Sequence, residues 1–179
     1  RNETIIKTSA LILKGMSMIL NRNVERAKKE GRIDRDYDFS MEATHHGPYI
    51  EKPCMFVEVG GTEKEWNDMK AVEVIAETIK EFVQNYNGRD EKNKFIPVIA
   101  VGGLHYGQSF NRIQLGSKYA IGYIIPKYAL PIKKEMIEQA VSKSSAKTAI
   151  IDYKGLGNAG MRDETIRLLK ECGLEVIKT

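Results

Sequence analysis

The three histidines of this 179-residue chain fall in two short stretches. His45 and His46 stand side by side in SMEATHHGPYIEKPCMFVEVGGT, with Glu42 before them and Glu58 after them, and His105 lies in the glycine-rich VGGLHYG. Imidazole beside carboxylate supports two kinds of chemistry. It can move protons near neutral pH, the carboxylate orienting the ring, or it can hold Zn2+, which in catalytic sites takes three protein ligands and a water. The spacing matches neither HExxH nor a CxxC pair, so metal ligation and a metal-free role both stay open. Glu58 sits inside an otherwise apolar run, where a charge is costly to bury unless it is paired or liganded. A salt bridge to a lysine or arginine is its plainer explanation.

Gly155-Leu156-Gly157-Asn158-Ala159-Gly160 fits the GxGxxG pattern after a strand and before a helix. Within this sequence only 19 residues follow it, too few for the remaining strands of a dinucleotide-binding half. A strand-to-helix turn whose N–H groups, with Lys154, touch a phosphate is the better reading.

The elements that would position these groups follow from periodicity. Thr4 to Lys29 is dense in apolar residues and closes at Gly31, which predicts one or two helices with Gly15 as the interruption. Phe39 to His46 alternates with period two, a strand stopped at Gly47-Pro48, and Cys54 to Val59 is a second strand ending at Gly60-Gly61. Thr62 with Glu65 makes a capping box, opening a helix whose apolar face runs from Met69 to Val83. Strands at Phe95–Val101, Ala120–Ile125, Thr148–Tyr153 and Leu174–Ile177 alternate with helices at Ile132–Lys143 and Arg162–Cys172. Such alternation predicts an α/β layered fold. In such sheets functional groups gather at the carboxyl ends of strands, where the two histidine stretches and the glycine turns fall.

At 42% hydrophobic content, residues 1–179 are expected to form a single α/β domain. A net charge of +4 permits nucleic acid as a partner without demanding it. Arg112, Lys118, Lys127, Lys133, Lys134, Lys147 and Lys154 lie among Tyr119, Tyr123, Tyr128 and Tyr153 in the C-terminal half, which is compatible with an RNA-facing surface, although an ordinary solvated face is the more common cause. Cys54 and Cys172 are far apart in unlike contexts, as for packed thiols in a reducing compartment. No apolar run approaches the ~20 residues a membrane span needs, and no signal peptide is visible, so a cytoplasmic protein is expected.

The blocks SMEATHHGPYIEKPCMFVEVGGTEKEW, VGGLHYG, GYIIPKYAL and IIDYKGLG, in this order, resemble the archaeal and plant type of D-aminoacyl-tRNA deacylase. The resemblance runs from about Asp38 to the C-terminus. That family is longer on its N-terminal side, which implies further sequence ahead of Arg1. Two departures are Gly61, where serine is expected, and Leu104-His105-Tyr106-Gly107-Gln108, where Gly-His-Tyr-Ala-Pro is usual; both leave the histidine, acid and tyrosine positions intact. The resemblance implies a three-layer α/β/α fold with a mixed sheet, like peptidyl-tRNA hydrolase and purine nucleoside phosphorylase. It further implies a monomeric hydrolase that cleaves the ester of D-aminoacyl-tRNA, with zinc as cofactor. On that basis His45, His46, His105, Glu42 and Glu58 are the candidate catalytic residues, and His45, His46, Glu58 and His105 the candidate zinc ligands. Backbone N–H groups of Gly60, Gly61, Gly102 and Gly103 would hold an oxyanion, and Thr62, Tyr106, Lys127 and Lys154 would meet substrate and tRNA. The rivals are a module that binds the tRNA 3′ end without chemistry, and an enzyme like peptidyl-tRNA hydrolase.

Overall fold

Three short apolar runs and one charged-ended edge segment pair into one sheet. The computed structural model describes residues 4–44, 50–86 and 94–179, and in it β1 (Ile96–Val101), β2 (Tyr119–Ile125), β3 (Thr148–Ile151) and β4 (Glu175–Lys178) lie in the order β2-β1-β3-β4. Every ladder between them is parallel. Covered on both faces, the inner strands read as continuous apolar runs with no polar alternation. The register of β2 against β1 slips at Gly122, so Val98 faces Ile121 while Ile99 faces Tyr123; this bulge keeps the two faces in phase.

On one face lie α5 (Lys134–Ser144) and α6 (Ala159–Glu171), whose Ile137, Ala140 and Leu169 bury Ile99, Val101, Ile125 and Ile151. The other face carries α1 (Ala10–Lys29) and α4 (Gln108–Gly116), which bring Leu13 and Phe110 onto Val98, Ala100, Ile124 and Ile150. The α/β layered class expected from the sequence therefore stands. The antiparallel character of the expected mixed sheet comes down, among the described residues, to one isolated bridge between Glu42 and Tyr106.

Several local expectations change. Gly15 does not interrupt α1, which is continuous and capped by Ser9 accepting from the Ile12 N–H. A Cβ at Gly15 would lie 2.9 Å from the Tyr86 ring, so the glycine serves close approach: it admits the stacked Phe82–Tyr86 pair, 4.5 Å between centroids. That pair belongs to the end of α3 (Met69–Asn85), which also packs on α1 through Ala71 and Val74. The Thr62–Glu65 capping box is present but opens only α2 (Glu63–Trp66). The chain restarts at Asp68, whose carboxylate accepts from the Lys70 and Ala71 N–H groups and caps α3. Neither Phe39–Thr44 nor Cys54–Val59 is a ladder strand. Helix α4 carries no strong period in the sequence, because one of its two buried positions is the polar Gln114.

Lys14 is fully buried in α1, a position its type rarely takes. Its ammonium donates to the carbonyls of Gln114, Ser117 and Tyr119 at 2.6, 2.7 and 3.0 Å. These carbonyls sit at the end of α4 and the start of β2, so the cation meets the negative pole of a helix and holds three elements at one point. Cys54 and Cys172 are both free thiols.

Candidate functional site

The site forms where β1 and β2 end. After Val101, Gly102 and Gly103 both take positive φ, +103° and +74°, a conformation that favours glycine; a Cβ on Gly102 would meet the Asp152 carbonyl at 3.1 Å. The chain turns there and presents His105 and Tyr106. Met41 to Thr44 runs antiparallel to this turn: Ala43 N–H donates to the His105 carbonyl at 2.8 Å and Gly107 N–H to the Met41 carbonyl at 2.7 Å. Asn111 on α4 fixes the same strip by accepting from Met41 N–H and donating to the Phe39 carbonyl. Thr44 ties its far end to Ile124 of β2 through N–H and Oγ1. At Gly107 the strip and β2 come so close that a Cβ would lie 2.8 Å from Ile124 Cδ1.

This pairing sets Glu42 against His105. Glu42 Oε1 lies 2.8 Å from His105 Nε2, and Tyr128 Oη lies 2.9 Å from His105 Nδ1. An ionised carboxylate can only accept, so Nε2 carries the proton of the neutral ring and Nδ1 is the basic nitrogen. The imidazole side chain is 48% exposed and the carboxylate 24%, so a ligand reaches the ring while Glu42 stands behind it. Tyr106 meets the ring edge-on at 5.3 Å.

Glu42 and Tyr106 also border a cavity of about 700 Å3. Asp34, Asp36, Asp38, Glu58, Glu65 and Asp68 line it with Lys64, so the cavity is acidic and repels phosphate. Tyr37 donates to Asp68 at 2.9 Å; burial, and then this bond, push its hydroxyl up to about 12. The same bond, ahead of the N–H groups of α3, holds the Asp68 carboxyl below its ordinary range. Glu65 is likewise lowered, first by the Thr62 hydroxyl.

The residues singled out from sequence fare differently. Glu42, His105 and Tyr106 come together, and Glu58, Gly60 and Gly61 line the cavity they border. Glu58 is exposed and lies on an irregular segment, so the expectation of a costly buried strand charge is corrected. Gly102 is corrected as an oxyanion donor: its N–H donates to the Ile125 carbonyl at 2.8 Å. The N–H and hydroxyl of Thr62 both serve Glu65. Gly103 is buried, its carbonyl accepting from Lys127 N–H at 3.0 Å. Lys127 and Lys154 are exposed beyond the ends of β2 and β3. His45 and His46 lie outside the described residues. Tyr128 and Asn111 were missed; the one available signal was the place of Tyr128 just past the Pro126 stop of a strand whose carboxyl end borders the site.

Zinc calls for three ligands at bonding distance. Among the described residues no group of three or more histidine, cysteine, aspartate or glutamate side chains could hold a metal ion. Two of the four expected zinc ligands, His45 and His46, lie outside the described residues, and no step below passes through a metal. Among the same residues no helix is long and apolar enough to cross a membrane.

A family model described as D-aminoacyl-tRNA deacylase matches residues 11–177. The D-aminoacyl-tRNA deacylase of Cenarchaeum symbiosum is 40% identical over 159 residues, covering 87% of this chain and 59% of the relative. That of Pyrococcus furiosus is 40% identical over 152 residues, covering 81% and 52%. A crystal structure described as that of a conserved protein of unknown function superimposes with a TM-score of 0.80 at 30% identity, over 98% of this chain and 58% of the other. The chain thus spans somewhat over half the length of the relatives it matches.

Proposed function

From the premise that this chain belongs to the D-aminoacyl-tRNA deacylase family, we propose that it hydrolyses the ester joining a D-amino acid to the terminal adenosine of tRNA, with His105 as the base and Glu42 as its orienting carboxylate. The observation that carries this reading is the 2.8 Å Glu42–His105 hydrogen bond at the rim of the acidic cavity. Glu42 fixes the tautomer with Nε2–H, leaving Nδ1 to take the proton that water loses as it attacks the ester carbonyl. The imidazolium so formed faces Glu42, which stabilises it. On collapse of the tetrahedral intermediate the same proton returns to the leaving ribose oxygen.

The N–H groups of Gly60 and Gly61, on the cavity wall, are the donors for the developing oxyanion. An aminoacyl ester is already labile, so the protein supplies mainly positioning and a moderate proton-transfer gain, on the order of 100-fold or more. Charge orients the substrate: the acidic cavity disfavours the phosphodiester chain and suits the α-ammonium group of the amino acid, while Lys127 and Lys154 take tRNA phosphates. As the family resemblance implies, the enzyme acts as a monomer, which light scattering on the eluted protein checks.

Single-turnover assays with protein in excess over D-Tyr-tRNA and L-Tyr-tRNA test the reading. Release of D-tyrosine much faster than L-tyrosine is expected. Binding of both with no release would leave only a module that holds aminoacyl ends.

A further inference from the structure

Tyr128 has no part in the reaction as described so far, yet its hydroxyl lies 2.9 Å from the basic nitrogen of His105. It lies in a 3-10 turn, Lys127–Ala129, directly after β2. That turn is held by three backbone bonds: Lys127 N–H to the Gly103 carbonyl, Ala129 N–H to Pro126, and Leu130 N–H to Lys127. The first of these ties it to the glycine turn that presents His105. Tyr128 is 63% exposed, so its position is set by the backbone and by the bond to His105 and not by a surrounding core. The two rings lie 6.2 Å apart and are inclined by 28°.

Because Glu42 holds the proton on Nε2, the 2.9 Å contact at Nδ1 is a hydrogen bond from the Tyr128 hydroxyl to the imidazole. A proton bound for Nδ1 either passes through this hydroxyl or displaces it. We propose that it passes through: Tyr128 is a catalytic group of the ester hydrolysis, its phenol relaying the proton of the attacking water to His105. The inference rests on the deacylase reading above and assigns its proton path.

The step balances without any co-reactant. The water oxygen bonds to the ester carbonyl carbon while one water O–H bond breaks, its proton going to Tyr128 Oη. The phenol's own proton moves to His105 Nδ1, giving an imidazolium opposite the Glu42 carboxylate. Tyr128 ends the step neutral, as it began. In the reverse direction the imidazolium returns a proton through the same hydroxyl to the ribose oxygen as the ester C–O bond breaks. The phenol so extends the reach of His105 to an attacking water that the ring itself does not touch.

Tyr128→Phe removes the hydroxyl and keeps the ring. Single-turnover deacylation of D-Tyr-tRNA by this variant should be slower by about tenfold or more, with KM within about threefold of the wild-type value. In mixtures of H2O and D2O the wild-type rate should bow downward with deuterium content, as two protons move together, and the residual Tyr128→Phe rate should depend on it linearly. Nitrogen NMR should show the Nε2–H tautomer of His105 in both proteins, which assigns the loss to the hydroxyl and not to a displaced ring. A Tyr128→Phe rate equal to or above wild type would mean that the hydroxyl is merely displaced, and would overturn the relay. So would a linear isotope dependence in the wild type. The wild-type assay separates the two levels: no turnover at all refutes the deacylase reading and this inference with it, whereas turnover indifferent to Tyr128 refutes the relay alone.

Discussion

Gly107→Ala isolates the fit between the strip that carries Glu42 and the edge of the sheet. Gly107 has φ −77°, open to any residue, so alanine brings no backbone strain there. Its Cβ would nevertheless lie 2.8 Å from Ile124 Cδ1 and 3.5 Å from Met41 Cβ. Carbon atoms rest at about 3.5–4.0 Å, so something must yield by roughly 0.7 Å. Ile124 is 1% exposed and has little room, so the displacement falls on Met41–Ala43 and carries Glu42 away from His105. Overpacking of this kind costs about 1–3 kcal/mol, and a shift approaching 1 Å at a reacting group lowers turnover by up to about 100-fold. Ile124→Val deletes the Cδ1 atom that the new methyl meets and by itself costs about 1 kcal/mol. The double variant should therefore be more stable than the two single changes sum to, by about 1–2 kcal/mol, and should regain most of the turnover. Alanine is also the poorer helix cap ahead of α4, but that loss is common to both backgrounds and cancels in the comparison. Urea melts and single-turnover deacylation on the four proteins measure both effects. Additive stabilities together with wild-type turnover in Gly107→Ala would refute the steric argument.

Glu42→Gln keeps the shape beside His105 but replaces an accept-only carboxylate with a neutral amide that can also donate, so the tautomer is no longer fixed and the imidazolium loses its counter-charge; it should slow deacylation by about 100-fold with tRNA binding retained, and a rate within about twofold of wild type would contradict the orienting role. Lys14→Met strips three carbonyls of their buried ammonium donor and should lower stability by about 3 kcal/mol, and an unchanged melting temperature would count against it. The folded state holds the Tyr37 proton more tightly than the unfolded state, with the hydroxyl raised from 10.0 to about 12. Its contribution to stability is thus whole below pH 10 and is lost as pH rises toward about 12, so urea melts across that window should fall more steeply for wild type than for Tyr37→Phe; parallel curves would argue otherwise.

The core strands were legible because β1, β2 and β3 are buried on both faces and carry apolar runs bounded by glycine, proline or polar turns. The layered α/β class followed from their alternation with helices. The segments around Glu42 and Glu58 were harder, since alternation and apolar content report burial of one face and say nothing about ladder partners. Phe39–Thr44 does bury Met41 and Ala43 while pairing through a single bridge. Glu58 misled for a related reason, as its apolar neighbours include the exposed Phe56. Gly15 and Gly107 are alike as letters in the sequence, and only packing separates them from a helix break or an ordinary turn. Of the site, Glu42 and His105 were found from residue chemistry and spacing, and Tyr106 through the family resemblance. Tyr128 was not, because its role depends on β1 and β2 being neighbours, a pairing that periodicity does not specify.

His105→Ala tests the central claim most directly. Single-turnover release of D-tyrosine from D-Tyr-tRNA, measured beside filter binding of the same tRNA, separates loss of chemistry from loss of the complex. A fall of about 100-fold or more in release, with binding retained within about threefold, is predicted for a base held by Glu42. Release at the wild-type rate by His105→Ala would contradict it.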